Sequence, residues 1–180
     1  MTTAVVNRCS RVPVPVLRLA WAARRALAAL GRPSGAVDIL LVDDAEMRRL
    51  NVAYRGVRRR TDVLAFPLEI AGAPGALVGQ IVISADAARR QARRLDVPLG
   101  LELELLVTHG VLHAVGYDDR DPVEAGLMHA RERQILSAEH GRMPDRLWRG
   151  LLERAGDRRS HLAPFSGHPR TPAASRPPLQ

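Results

Sequence analysis

Apolar residues along this chain recur at two spacings, and each spacing predicts a different kind of element. After a short extended start around Val5 and Val6, the residues Leu17, Trp21, Leu27 and Ala28 fit one face of a helix. That helix runs from about Pro15 to Leu30, and Gly31 would end it. Val37 to Val42 is a compact apolar run of strand length. Asp43 or Asp44 then caps a helix carrying Met47 and Leu50, and the polar, basic stretch from Asn51 to Thr61 reads as an exposed loop. Asp62 to Pro67 is a second strand stopped by proline, Gly72 to Gly75 marks a turn, and Gln80 to Ile83 is a third strand. Ser84 caps a further helix whose outer face holds Arg89, Arg90, Arg93 and Arg94.

Pro98 and Gly100 separate that helix from the most apolar part of the chain. Leu101 to Leu105 alternates like a strand. Its continuation, Leu106 to Val115, is too long and too uniformly apolar for an edge strand, so a buried helix is expected. Pro122 suits the first turn of another helix, which runs through Glu132 to Leu136. Beyond Met143 a short amphipathic stretch with Leu147, Trp148 and Leu151 docks on the domain. From about Gly156 the chain turns to Pro, Ser, Arg and Gly. The expected organisation is one domain over residues 1–155 followed by a disordered Arg/Pro-rich tail, 156–180.

Composition narrows the functional classes. With 180 residues, 46% of them hydrophobic, the chain can bury a real core. Cys9 is the single cysteine, which excludes an internal disulfide or a cysteine-based zinc cluster and suits a reducing, cytoplasmic location. No apolar stretch is long enough to span a bilayer, because Arg18, Arg24 and Arg25 interrupt the longest, Leu17 to Leu30. The first 37 residues hold six arginines and no acid, as a transit peptide would, but the helical face described above is the preferred reading. The net charge is +8 and every basic residue is arginine, the better side chain for phosphate contact. Part of that excess sits late: from Arg142 onward eight arginines oppose three acids, a net of +5.

The chemistry concentrates between His109 and Asp119. His109 and His113 are four residues apart, so on a helix their imidazoles share a face one turn apart. Gly116 lets the helix end and turn back, which can bring Asp119 toward the two rings. Two imidazole nitrogens plus a carboxylate, with a fourth position for water, is the ligand count of a catalytic zinc site. Asp118, Asp121 and His129 are alternative third ligands on spacing alone. Zinc peptidases of the H-E-x-x-H type place a glutamate base after the first histidine, and this chain has Gly110 there.

His109, Gly110, Leu112, His113, Gly116, Tyr117 and Asp118 match the signature H-G-x-L-H-x-x-G-Y-D-H. Further matches are Leu50-Asn51, Tyr54-Arg55-Gly56, Thr61 to Leu64, Phe66-Pro67, Gly79, Ile81 to Ile83, and Met128 with Glu132. In these motifs the chain resembles the YbeY family of bacterial metal-dependent endoribonucleases. The resemblance implies an α+β fold with a small mixed sheet of about four strands packed by helices and a metal site at the end of the buried helix. It implies one zinc ion held by His109, His113 and Asp119, with Arg55 as the arginine important for activity. It also implies cleavage of single-stranded RNA in small-subunit rRNA processing and ribosome quality control, with the ribosomal small subunit or assembly factors as partners. Three positions depart from the family pattern: Asp119 stands for a histidine, Ala65 for a serine and Gln80 for an aspartate. An anionic oxygen donor at Asp119 shifts metal preference toward oxygen-favouring ions. Arg58 to Arg60 and the arginine-bearing helix face would track an RNA backbone, and a solvated basic face is the equal alternative for that helix. Two other functions compete: a non-catalytic RNA-binding assembly factor with a structural metal, and a metal hydrolase acting on a peptide, against which Gly110 stands.

Overall fold

The computed structural model describes residues 3–56, 58, 61–68 and 77–149. In chain order the elements are β1 (Val5–Asn7), α1 (Val16–Ala29), β2 (Ala36–Val42), α2 (Asp44–Arg55), β3 (Val63–Pro67), β4 (Leu77–Ser84), α3 (Ala85–Leu95), α4 (Leu99–Ala114) and α5 (Pro122–His140). Residues 146–149 add a short helical turn. The four strands form one mixed sheet in the order β1-β2-β4-β3. β1, β2 and β4 run parallel, and β3 joins β4 antiparallel. This is the α+β fold with a small mixed sheet that the sequence implied.

The sheet explains the uninterrupted apolar run in β2. A strand with parallel neighbours and helices on both faces needs apolar residues on both. Val37, Ile39 and Leu41 face the main core with Ile81, Ile83 and Val63. Leu40 and Val42 face the other way, onto Met47 and Leu50 of α2 and onto Leu64, Val82 and Phe66. A third apolar cluster joins α3, α4, α5 and the final turn through Leu95, Leu105, Leu136, Leu147 and Trp148. The expected docking of Leu147 and Trp148 is therefore seen, and Leu151 lies outside the described residues.

α4 runs through the middle, packed against α1, α3, α5, β3 and β4, and is buried along nearly its whole length. A helix apolar on all sides belongs in such a place. Within it the buried Glu104 accepts from Arg18, Arg25 and His140. Those bonds tie α1 and the end of α5 to α4.

Gly110 sets how closely α4 approaches the sheet. A methyl group built there would come within 2.6 Å of Ile81 Cγ2, closer than side-chain carbons tolerate. Gly110→Ala should therefore destabilise the fold by about 1–3 kcal/mol through overpacking. A denaturant midpoint equal to that of the wild type would show instead that helix and strand can draw apart.

Several local expectations need correction. The helix over α1 exists, but its buried face is Leu19, Ala22, Ala23, Ala26 and Leu27, while Leu17 and Trp21 are 78% and 56% exposed. Small alanines let α1 lie close on α4, and that proximity outweighs burial of one large ring. Asn51 to Arg55 is helix rather than loop: α2 continues to Gly56, whose φ of 67° closes it. Asn51 is buried and Tyr54 packs edge-on against Phe66, with ring centroids 5.0 Å apart, so tertiary contacts hold a segment that looks merely polar. Asp43, not Asp44, is the cap of α2, accepting from the Glu46 N–H. Ser84 caps α3 as expected. The arginine face of α3 is partly engaged: Arg90 grips Asp44 and Arg89 pairs with Asp86. Arg59, Arg60, the turn around Gly72 to Gly75 and the tail from residue 156 lie outside the described residues.

Candidate metal centre

The end of α4 builds the site. Its last turn closes in a Schellman motif: the Gly116 N–H donates to the His113 carbonyl, and the Tyr117 N–H to the Leu112 carbonyl. Gly116 takes the left-handed conformation this requires, with φ of 100°. The reversed chain then does two things. The Tyr117 carbonyl comes 3.0 Å from His113 Nδ1, and Asp119 folds back to a position 5% exposed. Tyr117 itself packs on the main core.

Both histidines thereby aim the same nitrogen inward. His113 Nδ1 donates to the Tyr117 carbonyl, which turns its Nε2 toward the other ring. His109 Nδ1 lies 2.7 Å from a carboxylate oxygen of Glu132 and donates to it, which leaves its own Nε2 bare. The two Nε2 atoms face each other at 3.1 Å with the rings edge to face. Asp119 completes the group, one oxygen 3.8 Å from His109 Nε2 and the other 3.7 Å from His113 Nε2. Two imidazole nitrogens and a carboxylate pointed at one spot form a set of donor atoms that suits a shared cation. Four-coordinate zinc with Zn–N near 2.0–2.1 Å sets its ligand atoms about 3.3 Å apart; the imidazole pair stands slightly inside that spacing at 3.1 Å and the carboxylate oxygens outside it at 3.7 and 3.8 Å. The three residues could hold a metal ion, all donor atoms lying within 4.8 Å of one another.

The alternative third ligands are otherwise occupied. Asp118 is paired with Arg120. Burial pushes the Asp118 carboxyl up, but the Arg120 hydrogen bonds outweigh it and leave it below the ordinary value. Asp121 caps α5, accepting from the Val123 and Glu124 N–H groups. His129 Nδ1 donates to Glu132 at 2.9 Å. Asp119 is the acid that the fold brings to the histidine pair.

Sequence patterning gives Glu132 no role beyond that of a matching position. It lies 23 residues from His109 and is fully buried, with its two oxygens taken by His109 and His129. Burial pushes its carboxyl up, yet the hydrogen bonds from His109 and His129 carry the balance below the ordinary carboxylate value, so it is ionised. No local pattern exposes such a partner, because α4 and α5 meet only in the folded chain.

Arg55 lies on a different element, exposed at the last residue of α2. A short chain of contacts links that end of α2 to the site. Tyr54 packs on Phe66, and a methyl group on Gly79 would come within 2.9 Å of both the Phe66 carbonyl and the Ala114 methyl, next to His113. Ala65 and Gln80 sit on β3 and β4, opposite Ile81 and Phe66, and are not members of the donor trio.

Residues 8–140 match the family model described as Endoribonuclease YbeY. The Endoribonuclease YbeY of Anaeromyxobacter sp. (strain Fw109-5) is 40% identical over 139 residues, covering 77% of this chain and 72% of that one. That of Geobacter metallireducens is 36% identical over 142 residues, covering 76% of this chain and 95% of the relative. The solution structure of TM1509 from Thermotoga maritima shares the fold, with a TM-score of 0.52 at 22% identity, covering 87% of this chain and 95% of the other. With the family model spanning most of the chain and relatives matching at this level, the protein belongs to the YbeY endoribonuclease family.

Proposed function

We propose that this protein is a zinc-dependent endoribonuclease that cleaves single-stranded RNA, acting in the cytoplasm in small-subunit rRNA processing and ribosome quality control. The observation that carries the reading is the convergence of the His109 and His113 Nε2 lone pairs with the Asp119 carboxylate at one point. The names of the relatives supply RNA as the substrate class.

In this reading His109, His113 and Asp119 hold the ion. A bound zinc ion would supply Lewis-acid polarisation of a phosphoryl oxygen or of water. Arg55 contributes a fixed positive charge against the negative charge that builds on the phosphate during cleavage. Arg93 and Arg58 give the backbone further cationic contacts, while Arg94 is engaged with Gln91, and Arg89 and Arg90 are committed largely to Asp86 and Asp44. Aromatics make up 3% of the chain, too few for a broad stacking platform, so selectivity rests on RNA shape or on a ribosomal partner.

The peptide-hydrolase alternative lacks its general base. Gly110 occupies that position, and Ile81 leaves no room for a glutamate there.

Removal of the metal tests the proposal. Protein purified without chelator should carry one zinc per chain and cleave an unstructured RNA. Chelation followed by desalting should abolish cleavage, and stoichiometric zinc should restore it. Cleavage that persists in metal-free protein would overturn the zinc dependence.

A further inference from the structure

We infer that Glu132, steadied by His129, is the positioning residue of the metal centre: it fixes the tautomer and the aim of His109. The inference rests on the metal-centre reading above and deepens it by assigning the group that makes one ligand ready before the ion arrives.

The geometry is specific. One Glu132 oxygen meets His109 Nδ1 at 2.7 Å, on the edge of the ring opposite the nitrogen that faces His113 and Asp119. The other oxygen takes the His129 Nδ1 proton at 2.9 Å, so the carboxylate cannot rotate away from His109. His129 sits one turn before Glu132 on α5, the spacing at which two helical side chains meet. Its remaining ring nitrogen has no hydrogen-bond partner among the described residues, so its visible polar contact is the one with Glu132.

A purely structural role explains the arrangement poorly. Met128 and Ile135 of α5 already pack into the main core, and Leu136 into the cluster with α3 and α4. A fully buried carboxylate between two helices is costly to desolvate, and apolar residues of similar volume often do as well or better for stability. Its retention between an imidazole edge and a second imidazole points to what it does for the first. A carboxylate on the outer nitrogen of a ligating histidine orients the ring and raises its basicity toward the ion, and its loss typically weakens metal affinity about 10–100-fold. His113 is served differently, by the neutral Tyr117 carbonyl. The two ligands are therefore unequal, and His109 is the one whose strength depends on a charged group.

The test uses the full-length protein stripped of metal, with zinc affinity read by competition against a chromophoric chelator. Glu132→Gln keeps the size and one acceptor oxygen while removing the charge, and should weaken zinc binding about 10–100-fold. His129→Ala should weaken it less than Glu132→Gln does. The apo proteins should keep their circular dichroism, and the ring nitrogen spectrum of His109 should show the proton on Nδ1 in the wild type and a mixture of tautomers in Glu132→Ala. If Glu132→Gln binds zinc as tightly as a wild type that does bind it, the positioning role is overturned and the metal centre stands. If the folded wild type takes up no zinc, the metal-centre reading fails and this inference falls with it. A Glu132→Ala protein too unstable to study leaves the Glu132→Gln affinity as the deciding measurement.

Discussion

His113→Ala should lose both bound zinc and RNA cleavage while keeping its fold. The His113 ring is part exposed at the end of α4, beside His109, Asp119 and the Tyr117 carbonyl, so its removal opens little core. Of the three donors it is therefore the one whose truncation separates chemistry from stability most cleanly. His109 is buried against Glu132, and its truncation would strand an ionised carboxylate in the interior. Lewis-acid stabilisation by a metal supplies several kcal/mol, so its loss should lower cleavage by at least about a thousandfold. Asp119→Ala should fall between the wild type and His113→Ala in zinc content, since both imidazoles remain. Metal analysis and a cleavage assay on the same preparations check both variants. Full cleavage by a zinc-free His113→Ala protein would leave the ion without a catalytic role and overturn the zinc dependence.

The second large effect is expected at a residue on a different helix from the histidine pair. Arg55→Ala should leave zinc stoichiometric and the folding stability within about 0.5 kcal/mol of wild type, as exposed positions usually do. Cleavage should nevertheless drop about 100–1000-fold, the usual loss when one fixed donor to developing charge is removed. The fall should lie mainly in kcat if the guanidinium meets charge that appears only in the transition state. Arg55→Lys should recover a fraction, because lysine keeps the charge but not the planar two-point contact with phosphate. A loss confined to KM would reduce Arg55 to an RNA-holding residue, and unchanged kinetics would remove it from the site altogether.

These two variants divide the centre along a line that the chain itself draws. The donors lie within eleven residues, while Arg55 sits more than fifty residues earlier on another helix. The features legible along the chain are the histidine pair one turn apart, the glycine that ends their helix, the serine cap of α3 and the apolar run of β2. Each of these depends on backbone geometry within one or two turns, where residue type and spacing nearly fix the outcome. The readings that failed depended on neighbours. Trp21 has the right spacing to be core and is exposed, because three alanines on the adjoining face admit α4 more closely. Tyr54 and Arg55 look like loop and are helix, because Phe66 and a buried Asn51 hold the last turns of α2.

By itself, then, the sequence determined the elements, the family and the stretch in which metal chemistry would lie. Four residues could have supplied the third ligand on spacing alone, and only the tertiary structure brings Asp119 beside both imidazoles while giving Asp118 to Arg120, Asp121 to the start of α5 and His129 to Glu132. The tertiary structure alone also placed Glu132 behind His109 and pressed Gly110 against Ile81. The reason is physical. Helical spacing and a terminating glycine act along the chain, whereas the aim of a lone pair and the partner of a buried carboxylate are set by whichever helix packs beside them.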